Sequence, residues 1–105
     1  METMDQISEM YKLLADKTRL TILALLKEKE LCVCDIVEII KMTQPNVSQH
    51  LRKLKSGGIV NEKKRGQWVY YSLNLDKPYV LAALQHVPSQ KDSIEQMEKS
   101  KTISC

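Results

Sequence analysis

The sequence predicts an α+β fold, mostly helical with one β-hairpin, and three features carry that expectation. Apolar residues recur at helical spacing through roughly the first half of the chain. The pair Gly57-Gly58 then breaks the pattern. Beyond it, Val69, Tyr71 and Leu73 interleave with Trp68, Tyr70 and Ser72 at strand spacing. At 105 residues the chain is one domain's worth, with 7–86 as the core and 89–105 as a polar C-terminal tail. So short a chain buries a modest core, which makes a dimer interface a natural supplement.

Each element has a local cause. Ile7, Met10, Tyr11 and Leu14 fall at i, i+3, i+4, i+7, the stripe of an amphipathic helix. Asp16 can cap a second helix whose face is Leu20, Ile22, Leu23, Leu25 and Leu26; apolar over more than half its circumference, it belongs in the middle of the fold. A short third helix from Val33 to Lys41 turns Ile36, Val37, Ile39 and Ile40 inward. Thr43 reads as the cap of a fourth, in which Pro45 falls in the tolerant first turn and Val47, Leu51 and Leu54 are buried. Ile59–Lys63 and residues 68–73 form the hairpin strands, with Lys64-Arg65-Gly66-Gln67 as the turn. Tyr79–His86 is helical again, and the polar stretch after Ser89 has room for one more helix.

The charges are unevenly placed. Residues 1–40 carry five basic and eight acidic side chains, whereas residues 41–67 carry seven basic side chains against Glu62 alone. One basic segment between acidic and neutral flanks is the footprint of a nucleic-acid reader. Two short helices joined by the tight turn Met42-Thr43-Gln44, followed by a basic hairpin, make a winged helix-turn-helix, whose second helix enters the major groove. On a wheel of about 100° per residue, Pro45, Gln49 and Arg52 oppose Val47, Leu51 and Leu54, with Asn46, Ser48 and Lys53 flanking them. Gln44, Asn46, Ser48, Gln49, Arg52 and Lys53 thus supply amide, hydroxyl and cationic groups with no acid to repel a phosphate. A merely solvated face would mix both signs. His50, at the border of the two faces, is either a phosphate contact or a partly buried structural histidine. Lys63, Lys64 and Arg65 at the hairpin tip reach the DNA backbone or minor groove, unless they only discourage strand pairing.

Cysteine usage points to a second chemistry. No stretch approaches the roughly 20 apolar residues of a membrane span, and the acidic start Met1-Glu2-Thr3-Met4-Asp5 is no secretory signal, so a cytoplasmic location without membrane contact is expected. Three cysteines there suggest ligands or reactive thiols rather than a disulfide framework. In Glu30-Leu31-Cys32-Val33-Cys34-Asp35 two thiols stand one residue apart at a helix start. On a helix such residues point about 200° apart, so joint coordination of one ion requires the first turn to distort or unwind. By itself the spacing leaves open one buried and one exposed thiol, since structural sites usually draw four ligands from two such pairs.

Residues 7–86 resemble the ArsR/SmtB family of metalloregulatory repressors. The resemblance rests on Leu14-Ala15-Asp16-Lys17-Thr18-Arg19-Leu20, Glu30-Leu31-Cys32-Val33-Cys34-Asp35-Ile36, Gln44-Pro45-Asn46-Val47-Ser48-Gln49-His50-Leu51 and Gly66-Gln67-Trp68-Val69-Tyr70-Tyr71. It implies a homodimeric repressor, not an enzyme, that leaves palindromic double-stranded operator DNA on binding a toxic ion. The Cys-Val-Cys-Asp stretch resembles the branch responsive to As(III) and Sb(III), in which soft thiolates hold the inducer and no organic cofactor is needed. Two departures qualify it. A third cysteine one turn on, at position 37, is here Val37, so a third thiolate comes from Cys105 of either subunit or from a small-molecule thiol. The cadmium- and lead-sensing branch adds cysteines near its N-terminus, and residues 1–31 have none; the zinc-sensing histidines are replaced by Pro78 and Ser89, leaving Asp76 and an isolated His86. A sensor of another thiophilic ion, or a repressor switched by thiol oxidation, stands as the alternative. The first helix and Tyr79–His86 are expected to form the dimer interface, because their stripes lack partners within so short a chain.

Overall fold

The computed structural model describes residues 3–100. The chain runs α1 (Met4–Leu14), α2 (Lys17–Glu28), β1 (Leu31–Cys32), α3 (Val33–Ile40), α4 (Gln44–Ser56), β2 (Val60–Arg65), β3 (Trp68–Leu73), α5 (Pro78–Leu84) and α6 (Lys91–Ser100). Among the described residues no helix is long and apolar enough to cross a membrane.

The helices start where their caps put them. Thr3 and Gln6 form a reciprocal capping box, which begins α1 three residues ahead of its apolar stripe. The Asp16 carboxylate accepts from the Arg19 backbone N–H, and this bond holds its pKa below the ordinary carboxylate value. Thr43 accepts from the Asn46 N–H and opens α4, with Pro45 in its first turn. Past α4, Gly58 adopts φ 75°, a left-handed conformation that suits glycine and turns the chain toward β2.

Helix α2 is the central element, with Ile22, Leu23, Ala24, Leu25 and Leu26 all buried. Val47, Leu51 and Leu54 of α4 are fully buried against the same cluster, as are Ile36 and Ile59. The sheet is three-stranded and antiparallel in the order β1-β3-β2. Sequence periodicity finds only the hairpin strands, because the two residues of β1 are too few to show a period. The hairpin turn is also tighter than expected: Arg65 pairs with Trp68, so only Gly66 and Gln67 lie between the strands, and Gly66 takes φ 62°. Lys63, Lys64 and Arg65 therefore lie in β2.

Two expectations near the C-terminus are corrected. Helix α6 packs on the core through Ile94 and Met97, so the fold extends beyond residue 86. Val80 and Leu84 of α5 are fully buried within this single chain and do not await a second copy. The stripe still uncovered belongs to α1, where Met4, Ile7 and Tyr11 are exposed while Leu14 faces inward.

Candidate DNA-reading face and cysteine site

Because three apolar side chains pin one side of α4, the opposite side must face solvent. Gln44, Asn46, Gln49, Arg52 and Lys53 are exposed, and Ser48 and His50 are half-buried. All seven expected reading residues thus lie on the helix that the sequence assigned to them. The wing is braced against the end of this helix. Lys55 donates to Glu62 at 2.8 Å, and the Tyr71 hydroxyl donates to the other Glu62 oxygen at 2.6 Å. These two bonds hold the Glu62 carboxyl below its usual pKa, while burial and the facing carboxylate push Tyr71 well above the ordinary phenol value.

Lys63 and Lys64 are exposed on β2, opposite Tyr70 and Val69. Arg65 differs from them. Its guanidinium donates to the Glu30 carboxylate and lies 5.0 Å from the centroid of the Tyr70 ring. The wing tip is thereby tied to the segment that leads into Cys32, a contact between positions 35 residues apart that no local pattern could show.

Cys32 and Cys34 come together without any unwinding of α3. Cys32 is not in the helix at all: it is the N-cap, with extended backbone (φ −83°, ψ 165°), and it pairs with Tyr70 as the last residue of β1. The wheel separation of about 200° therefore does not apply to the pair, and the two sulfurs stand 3.0 Å apart. The requirement for a distorted first turn, drawn from the spacing, is overturned. Cys32 is 2% exposed, whereas Cys34 is half-buried. Burial pushes the Cys32 thiol above its ordinary pKa, and the neighbouring buried Asp35 carboxylate acts in the same direction. A soft ion binding there would have to displace that proton.

The sulfur pair opens on a cavity of about 420 Å³ lined by Cys32, Val33, Cys34, Val37, Gln44, Gln67, Trp68 and Val69. Gln44 begins the reading helix, Gln67 lies in the wing turn and Trp68 starts β3, so one cavity touches all three parts. Sequence reasoning missed Gln67, Trp68 and Val69 as its neighbours, since only the β1–β3 pairing brings them there. Among the described residues no group of three or more His, Cys, Asp or Glu side chains is placed to hold a metal ion. Cys105, expected as a third ligand, lies outside the described residues.

A core-anchored reading helix behind a short helix, with a basic hairpin braced against its end, defines a winged helix-turn-helix DNA-binding regulator. The sequence profile described as "Bacterial regulatory protein, arsR family" matches residues 16–62. The chain is 36% identical over 86 residues to the arsenic resistance transcriptional regulator ArsR2 of Pseudomonas putida, a match covering 81% of this chain and 75% of that protein. It is 45% identical over 69 residues to the cadmium resistance transcriptional regulatory protein CadC homolog of Staphylococcus aureus, covering 65% and 57%. In structure it is similar to HlyU from Vibrio cholerae, with a TM-score of 0.71, 32% identity and coverage of 77% and 86%. The chain belongs to the arsR family, one of transcriptional regulators rather than enzymes. It spans 59% and 57% of the length of two other arsenic-resistance regulators that it matches.

Proposed function

We propose that this chain is a metal(loid)-responsive transcriptional repressor of the cytoplasm. As a homodimer it holds palindromic operator DNA through α4 and the wing, and it lets go when Cys32 and Cys34 bind As(III) or Sb(III). The observation that carries this reading is the convergence of the two sulfurs at 3.0 Å in a cavity walled by the start of the reading helix and by the wing turn. The donor set fits a soft ion. Two closely spaced sulfurs are soft donors of the kind that such an ion prefers, and they converge from two different elements. A third thiolate would come from Cys105 or from a small-molecule thiol.

The coupling to DNA follows from the positions of the two cysteines. Cys32 caps α3 and pairs with Tyr70 of the wing, while Cys34 lies in the first turn of α3, which packs on α4. Spreading the sulfurs strains the β1–β3 pairing and shifts α3 against the reading helix. Binding that favours the spread arrangement lowers the population able to grip DNA. The uncovered stripe of Met4, Ile7 and Tyr11 on α1 supports a two-fold dimer with two reading helices presented to a palindrome.

The deciding experiment titrates arsenite, antimonite, cadmium and zinc into the operator complex, with reductant present. Arsenite and antimonite should release DNA from the parent at the lowest concentrations, and the Cys32→Ser, Cys34→Ser double variant should stay bound. Release of that variant by arsenite would sink the site. A lower midpoint for cadmium would reassign the ion within the same site.

The short sulfur separation also favours a second reading. In the fully reduced protein a peroxide could take two electrons and two protons from the Cys32 and Cys34 thiols, closing an S–S bond and leaving as two waters. Release by peroxide alone, reversed by a dithiol, would select it.

A further inference from the structure

We propose that Arg19 is a positioning residue for DNA reading, which fixes the His50 imidazole as a hydrogen-bond donor at the edge of α4 while clamping the end of α1. The inference rests on α4 being the DNA-reading helix. Arg19 lies in the first turn of α2, and all three guanidinium nitrogens are engaged. Nε donates to the Leu13 carbonyl at 2.8 Å, Nη2 to the Lys12 carbonyl at 3.4 Å, and Nη1 lies 3.3 Å from His50 Nδ1. The two carbonyls belong to the last turn of α1, where a cation is favoured, and the Lys12 carbonyl also accepts from the Ala15 N–H at 3.3 Å. One side chain thus joins the helix with the uncovered apolar stripe to the helix that reads DNA.

The chemistry of the third contact is directional. A guanidinium has donors only, so Nδ1 must offer its lone pair, and the imidazole hydrogen then sits on Nε2. His50 lies on α4 one turn after Asn46 and one turn before Lys53, both exposed. With Nδ1 occupied, the polar group left for DNA is Nε2–H, which can meet a phosphate oxygen or a purine acceptor. The opposite tautomer would present a lone pair there and repel the same oxygen. Asp16 completes the cluster. The Arg19 backbone N–H bonds to its carboxylate, and the Arg19 guanidinium charge also favours the ionised form. Neither Arg19 nor the end of α1 is on the outward face of α4, so their effect on DNA passes through His50.

Nitrogen NMR of the imidazole in the full chain, without DNA, reads the tautomer directly. The parent should show His50 in the Nε2–H form, and Arg19→Lys, which keeps the charge but loses the fork, should mix the two forms. Operator binding at fixed salt supplies the second readout. Arg19→Lys and His50→Ala should each weaken it roughly tenfold, the size of one lost hydrogen bond to a charged group. The combined variant should be no weaker than either alone, as expected of groups acting through one another. His50→Gln, whose amide supplies a donor without help, should recover most of the binding and be indifferent to Arg19→Lys. An Nδ1–H parent, additive losses, or parent-like binding by Arg19→Lys would each overturn the proposal. Gln49→Ala and Arg52→Ala, measured alongside, separate the two failures. If these weaken binding and Arg19→Lys does not, only the role of Arg19 falls; if none weakens it, the reading helix falls as well.

Discussion

The reading helix and the cysteine site make opposite use of secondary structure. Helix α4 is a single element of 13 residues, held by three side chains with no exposed surface, so its outward groups keep a fixed spacing along the helix. The cysteine pair sits where a two-residue strand becomes an eight-residue helix, one sulfur on each side of the junction. A reader needs register, which a packed helix supplies. On the proposed function the cysteine site has to move when a ligand arrives, and a junction bound to the wing on one side and to α3 on the other would transmit such movement.

Removing an anchor of the reading helix is the harshest way to test that contrast. Leu51→Ala should cost about 2–5 kcal/mol of stability, measured by denaturant unfolding, because the side chain is wholly buried. A loss below about 1 kcal/mol would mean that α4 is far less firmly seated than its burial implies.

The cysteine junction should split into two unequal halves. Cys32→Ser buries a hydroxyl at a nearly inaccessible position and should cost about 1–3 kcal/mol. Cys34→Ser, at a half-buried position, should cost less than about 0.5 kcal/mol while abolishing the response to arsenite. Cys34→Ser is therefore the cleaner variant for operator-release assays. Equal losses from both would contradict the different surroundings of the two sulfurs.

On the outward face, Arg52→Ala and Gln49→Ala should each weaken operator binding by about 1–3 kcal/mol without unfolding the chain. Lys64→Ala on the wing should act on all sequences alike and reduce the salt slope by about 1. If the Lys64 variant lost sequence preference instead, reader and wing would have exchanged roles.

The smallest effect concerns the brace between α4 and the wing. The Glu62 carboxyl is held below its usual pKa by Lys55 and then by Tyr71, so folding favours its charged form. That contribution is fully present above the unfolded value of about 4.5 and is lost as pH falls through the lower folded value. Stability should decline on the acid side of about pH 4.5, and Glu62→Gln should flatten that part of the curve. An unchanged acid limb in Glu62→Gln would show that the brace adds nothing in solution.

How legible each region was follows from the range of the interactions that build it. The caps Asp16 and Thr43, the buried triad of α4 and its acid-free outer face were all readable, because each depends on residues within about one or two helical turns. The first helix was read in part: its stripe was visible, but the division between Leu14 inside and Met4, Ile7 and Tyr11 outside was not. The stripe of α5 was misjudged for the same reason. Val80 and Leu84 find their partners inside the chain, across a distance in sequence that periodicity cannot bridge.

The sequence by itself determined the helical elements, the hairpin, the acid-free outer face of α4 and the presence of two cysteines one residue apart, since composition and short-range spacing fix all of these. Only the tertiary structure decided that the two sulfurs meet. Cys32 is drawn into an extended conformation by pairing with Tyr70, and that pairing exists because the wing folds back over the start of α3. The same long-range packing seats Gln44, Gln67 and Trp68 around the sulfurs, ties Arg65 to Glu30 and brings Arg19 to His50. Pairings across 31 to 40 positions of chain leave no local trace, because each partner is chosen by where the core places it.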